Sequence, residues 1–129
     1  MTMTIIESPF AGDVPRNRIY ALRCMNNALS RGEVPFAPHL LYPQLLDDSK
    51  ADERQKGIEC GYKYWDFAQT IRFHLDYGWS PGMSEAFERA VERGYNIEVA
   101  YIGTNEEPLD TPQYGCINAD PVDYVSFLQ

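Results

Sequence analysis

Two short turns carry the residue types best suited to hold a small anion or a sugar. The first is Ser8-Pro9-Phe10-Ala11-Gly12-Asp13, with Arg16 and Asn17 just beyond it; the second is Trp79-Ser80-Pro81-Gly82-Met83. Each follows an apolar run and precedes a helical pattern. Each therefore sets the unpaired N–H groups and partial positive charge of a helix N-terminus beside a hydroxyl, an arrangement that cradles phosphate. A plainer reading stays open, in which Ser8-Pro9 is a strand stop and Ser80-Pro81 a helix cap. Neither turn is a P-loop, and no GxGxxG occurs.

Among acids, Glu85 and Glu88 fall in the first turns of a predicted helix, where carboxylates suit the dipole. Glu85 is nearer the anion-binding end and suits a nucleophile or base facing a sugar. His39 and Tyr42 stand in the Pro-rich stretch Glu33–Pro43, a loop that either folds over a ligand or packs down. His74 alternates within a predicted strand and reads as structural, Trp65 and Phe67 read as core, and Asp47-Asp48 as a solvated turn. Two histidines and three scattered cysteines without a CxxC pair make neither a zinc site nor a disulfide framework. No metal and no cofactor are expected.

The elements that must position these residues follow from periodicity and punctuation. Met3–Glu7 reads as a short strand ended by Ser8-Pro9. From Pro15 to Arg31 the spacing is helical, with Ile19, Leu22, Met25 and Leu29 on the face expected to be buried and Gly32 closing the helix. Glu33–Pro43 allows a brief strand and then an extended loop. Ser49 is the expected cap of a second helix, with Asp52 completing a capping box and Ile58, Tyr62 and Trp65 on one side. Thr70–Leu75 alternates as a strand; Ser80-Pro81 opens a third helix buried through Met83, Phe87, Ala90 and Val91; Ile97–Ile102 is a further strand. Strands alternating with helices predict an α/β fold with a parallel sheet covered on both faces. Residues 1–103 form this domain. Residues 104–129 are expected to be an irregular tail on the domain or on a partner subunit, with Tyr124, Phe127 and Leu128 docking in a groove.

At 129 residues, 44% apolar and 23% charged, the chain has the size and composition of one globular domain. A formal charge of −8 repels the phosphate backbone of DNA or RNA and anionic membranes, so any partner is a small molecule or a protein. No signal peptide and no apolar run of about 18 residues is present, and the expected location is the cytoplasm.

The string Ser8-Pro9-Phe10-Ala11-Gly12-Asp13, then Arg16-Asn17, then Pro35-Phe36-Ala37-Pro38-His39-Leu40-Leu41-Tyr42-Pro43, with Trp65 and Ser80-Pro81-Gly82-Met83, resembles a known group. These are small, often phage-encoded proteins related to the nucleoside 2-deoxyribosyltransferases and nucleotide N-glycosidases, and the similarity runs from about Ile5 to Ile102. The resemblance implies a flavodoxin/Rossmann-like three-layer sandwich with a short parallel sheet of about four or five strands. It further implies a homodimer or higher oligomer, acting in the host cytoplasm if the gene is a phage's. It places a nucleotide's phosphate against Ser8, Gly12, Asp13 and Arg16 and against Ser80, Gly82 and Met83; Pro9, Phe10, Asn17, His39 and Tyr42 are further expected nucleotide contacts. A glutamate of the third helix would attack the anomeric carbon and displace the base. The position of that glutamate is Ala86 here, and Glu85 stands one place before it, about 100° round an ideal helix. Tyr62 occupies the place of the acid expected ahead of Trp65.

Three functions follow as expectations. One is an N-glycosidase or deoxyribosyltransferase with Glu85 as nucleophile and Asp13 or Tyr62 orienting the sugar. Another is an inactive protein that sequesters a nucleotide, in a phage setting an immune signal. The third is an acidic adaptor that meets another protein.

Overall fold

The computed structural model describes residues 2–117. Along the chain run β1 (Met3–Glu7), α1 (Val14–Ser30), β2 (Val34–Phe36), α2 (Pro38–Leu41), α3 (Ala51–Lys63), β3 (Thr70–His74), α4 (Pro81–Glu92), β4 (Asn96–Gly103) and β5 (Pro108–Ile117). A 3-10 turn at Tyr42–Gln44 follows α2, and another at Tyr64–Phe67 follows α3.

The five strands form one sheet in the order β2-β1-β3-β4-β5. The first four pair in parallel and β5 runs antiparallel to β4. This is the doubly wound α/β order in which the chain reverses its winding between the first and third strands. Alternation along β1 sends Ile5 to one face and Ile6 to the other, and both are fully buried. On the Ile5 face, α4 and the 3-10 turn after α3 pack Trp65, Met83, Ala86, Phe87 and Ala90 against Ile71, Phe73 and Ile97. On the Ile6 face, α1 packs Tyr20, Cys24 and Ala28 against Ile6 and Ile102. The result is a three-layer α/β sandwich.

Helix α1 lies at its expected place but is turned about its axis. Asn17, Tyr20, Ala21, Cys24 and Ala28 are buried, whereas Ile19, Leu22 and Leu29 are 52%, 50% and 58% exposed. The sheet face beneath it carries Thr4, Arg72, His74 and Glu98 as well as Ile6. Small and hydrogen-bonding residues meet that mixed surface better than a leucine stripe does. Tyr20 Oη donates to Asp76 Oδ2 at 2.6 Å, and Asp76 accepts the backbone N–H groups of Ile102 and Gly103.

Between strands, Arg72 of β3 is bracketed by carboxylates. Its NH1 and NH2 donate to Glu33 at 2.7 and 2.6 Å, and its Nε donates to Glu98 at 2.8 Å. The guanidinium holds the Glu33 carboxyl below its ordinary range despite the opposing pull of burial, and the carboxylates raise Arg72 in turn.

Three further expectations are corrected. Helix α3 begins after Lys50, without a side-chain cap, because the Ser49 hydroxyl donates to Asp47 Oδ1 at 2.6 Å in a local turn. Phe67 is 66% exposed at the end of its 3-10 turn and is not core. Residues 104–117 are not irregular: Gly103 turns with φ +84°, and Pro108–Ile117 returns along β4 as a hairpin partner. This also makes the sheet mixed, since a tight turn can only bring a strand back antiparallel. Tyr124, Phe127 and Leu128 lie outside the described residues. No helix among the described residues is long and apolar enough to cross a membrane.

Candidate functional site

Beyond the carboxyl ends of β1 and β3 the two flanking connections leave in opposite directions, one into α1 and one into α4. A crevice opens at such a switch point in sheets of this type. Here it is a cavity of about 250 Å³. Its floor is Glu7, Tyr62, Trp65 and Ala86; one wall is Ser8, Phe10 and Ala11; another is Ser80, Pro81, Gly82, Met83 and Glu85. Residues Pro38, His39, Tyr42, Pro43 and Leu46 cover the third side, and Asp48, Glu53 and Arg54 stand at the rim. That volume lies just below the roughly 300–1,000 Å³ usual for ligand sites, room for a small molecule and not for a dinucleotide.

Each wall has a local cause. Asp13 caps α1 by accepting the Arg16 N–H at 3.1 Å, and Pro15 sits in its first turn. Asn17, fully buried, donates through Nδ2 to the carbonyls of Phe10 and Ala11 at 3.0 and 3.1 Å, pinning the first turn. Ser80 caps α4 through the Met83 N–H at 3.2 Å. The Pro-rich stretch folds down as α2 rather than staying extended, because Pro38 begins a helical turn there. That turn carries His39 to Ser8, where His39 Nε2 and Ser8 Oγ share a hydrogen bond of 2.7 Å.

Of the residues expected at the site, Ser8, Phe10, His39, Tyr42, Tyr62, Ser80, Gly82, Met83 and Glu85 line the cavity. Pro9, Gly12, Asp13, Arg16 and Asn17 do not; they build the turn behind it. The Arg16 guanidinium sits 4.1 Å over the Tyr77 ring and donates to Asn17 Oδ1, so it is turned away from the cavity. The plain reading of Ser80 as a helix cap therefore describes its hydrogen bond, and Asp13 caps α1 in the same way. Ala86, at the position the resemblance assigns to a nucleophilic glutamate, is buried in the floor, and Glu85 is exposed at the mouth.

The residue that sequence reasoning missed is Glu7. A carboxylate ending an apolar strand on the same side as Ile5 is the signal that was available, since alternation points both to the inner face. Burial alone pushes its carboxyl up to about 8. Burial likewise holds His39 down to about 4 and raises Tyr62 to about 12, with the nearby Glu7 adding to the latter. Arg89 lies 4.1 Å over the Tyr62 ring and does not line the cavity. The site thus pairs a neutral imidazole with a carboxyl that keeps its proton at neutral pH, and an exposed carboxylate stands at the mouth. Strongly shifted groups gathered in one cleft mark a candidate functional site. Among the described residues, no cluster of His, Cys, Asp and Glu is placed to hold a metal ion.

Fold and site together define a Rossmann-like, doubly wound α/β domain with a small acidic-mouthed cavity at the switch point of its sheet. The chain belongs to the family described as a domain of unknown function, DUF7768, whose model matches residues 2–100. The match takes in both turns, α2, α3 and all but the end of β4. No curated protein matches it.

Proposed function

We propose that the cavity binds a small nucleoside-derived molecule and that Glu85 acts on its N-glycosidic bond. The observation that carries this reading is the convergence of both serine-led turns and two carboxyl side chains on one small cavity. The N-terminus of α4 offers backbone N–H groups to a phosphate or hydroxyl, with Gly82 leaving open space above it. Phe10, Tyr42 and Trp65 offer apolar surface to a base. The buried Trp65 Nε1–H has no hydrogen-bond partner among the described residues, so it is a donor that a ligand acceptor can satisfy. Glu85, one position from Ala86 and free at the mouth, is the carboxylate available to attack an anomeric carbon.

A homodimer belongs to the same proposal. The Ile19, Leu22 and Leu29 stripe on α1 is the apolar surface that supports it, and light scattering of the purified protein tests it.

A second reading rests on Ala86: with no carboxylate in the cavity floor at that point, the protein captures its nucleotide intact, as a sequestering protein. One experiment separates the two. The protein at near-stoichiometric concentration is incubated with nucleosides, nucleotides and cyclic ADP-ribose-type compounds, and free base and protein-retained ligand are followed by chromatography with mass detection. Release of base, lost in Glu85→Gln, is the expected result. An intact compound that returns on denaturation favours sequestration, and neither outcome with any compound overturns both readings.

A further inference from the structure

We propose that Glu7 is the proton donor of this site, delivering its carboxyl proton to the departing base while Glu85 takes the anomeric carbon. This rests on the glycosidic reading above and supplies the second carboxyl that reading needs.

The geometry begins in β1. In register with Phe73 of β3, Glu7 extends the inner-face row started by Ile5, at the point where the packed core gives way to the cavity. Its neighbours in the floor are apolar or aromatic: Trp65, Met83 and Ala86, with the Tyr62 ring. No ion pair and no side-chain hydrogen bond reaches its carboxyl among the described residues. The groups that face it can be named element by element. From α2 comes His39, neutral; from α3, Tyr62, with Glu53 and Arg54 at the rim beside Asp48; from α4, Glu85 at the mouth and Arg89 over the Tyr62 ring; from β3, Phe73; from the first turn, the Ser8 hydroxyl. None offers this carboxylate a cation or a donor at contact, which is why it holds a proton up to about 8. A protonated carboxyl is an acid, not a nucleophile, so the division of labour between Glu7 and Glu85 follows from their surroundings.

The steps balance. As the C1′–N bond breaks, its electron pair goes to the base nitrogen, which takes the Glu7 proton, and a Glu85 oxygen bonds to C1′. Water then gives a proton to the Glu7 carboxylate and its oxygen to C1′, and Glu85 leaves as carboxylate. Free base and free sugar are the products, and both side chains return to their starting states.

The test compares two substrates of one sugar: a nucleoside, whose base needs a proton to leave, and a 4-nitrophenyl glycoside, whose phenolate does not. In the wild-type protein, kcat/KM for the nucleoside falls as pH rises through about 8, and kcat/KM for the nitrophenyl glycoside does not. Glu7→Gln lowers kcat/KM for the nucleoside by about 10²–10⁴-fold and leaves the nitrophenyl glycoside within about 10-fold. An alkaline limb shared by both substrates or present in neither overturns the assignment, as does a variant equally impaired, or equally active, on both. The wild-type profiles decide the matter even if the variant fails to fold. A wild-type protein that cleaves neither substrate overturns the glycosidic reading and this assignment together, whereas an active protein with an indifferent Glu7 overturns the assignment alone.

Discussion

Ser8 Oγ and His39 Nε2 lie 2.7 Å apart, and this one contact ties the end of β1 to the helix that covers the cavity. Ser8 is almost fully buried, so the hydrogen bond is shielded from water and its loss leaves a polar ring without a partner. Ser8→Ala is expected to cost about 1–3 kcal/mol, read as a lower Tm, and to weaken ligand binding because His39 loses its anchor. An unchanged Tm would mean that the contact contributes nothing.

The two histidines set the acid side of the stability curve. Burial holds His39 down to about 4 and His74 to about 3, against an ordinary value of 6.5. Above 6.5 both are neutral folded or unfolded; below it the unfolded chain takes up protons that the native protein refuses. Stability is therefore lost as pH falls from about 6.5 toward 4, by about 2 kcal/mol per histidine at pH 5. Urea unfolding at pH 7.5 and 5 measures the loss, and replacing His74 with Leu should shrink it.

Glu7 acts with the opposite sign. Its folded value of about 8 lies above the ordinary 4.5, so its contribution is intact below 4.5 and is lost as pH rises to about 8. Glu7→Gln, which cannot ionise, should be more stable than wild type at pH 7 by about 1–3 kcal/mol and equal to it near pH 4. Because Glu7 partly offsets the histidines in the wild type, the variant should also lose stability more steeply between pH 7 and 5. A variant less stable than wild type at pH 7 would contradict the burial argument.

Arg72 leaves two carboxylates behind when it is removed. With Glu33 and Glu98 both within 2.8 Å of it and the guanidinium 1% exposed, Arg72→Met leaves Glu98 without its cation and Glu33 with only Arg31 at 3.5 Å, both partly buried. The expected cost is about 3–5 kcal/mol by denaturant titration. Adding Glu33→Gln and Glu98→Gln to that variant should recover part of it, because the stranded charges are then gone.

Helix packing beside the cavity is tight enough to test with one methyl group. A Cβ at Gly61 of α3 would lie 2.9 Å from the Pro38 Cβ, so Gly61→Ala must displace α2 and the His39 it carries. Ligand affinity should fall about tenfold or more even though alanine favours the helix itself by about 1 kcal/mol. Unaltered affinity would show that α2 moves without consequence for the site.

The elements whose signals are local were legible in the residues themselves. Asp13 and Ser80 cap the helices they precede, Gly32 and Gly94 follow the helices they close, and Thr70–His74 and Ile97–Ile102 lie in strands. Caps, proline positions and alternation act over a few residues and need no partner from elsewhere in the chain. The two serine-led turns, legible for the same reason, line the cavity. What failed were the Ser49 cap, the course of the chain after Gly103, and inferences about which side of an element faces what. Ile19, Leu22 and Leu29 make the stronger apolar stripe, yet α1 turns Tyr20, Cys24 and Ala28 inward.

The sequence by itself therefore determined an α/β domain of alternating strands and helices and the two turns that wall its crevice. Only the tertiary structure decided that β5 returns along β4, that Arg16 and Asn17 serve the turn rather than the cavity, and that Glu7 stands in the floor with its proton held. The last two depend on groups remote in sequence: Tyr77 beneath Arg16, and the walls of α3 and α4 around Glu7. Burial and its electrostatic consequences belong to the packed molecule, because a side chain's dielectric surroundings are set by whatever the fold brings against it.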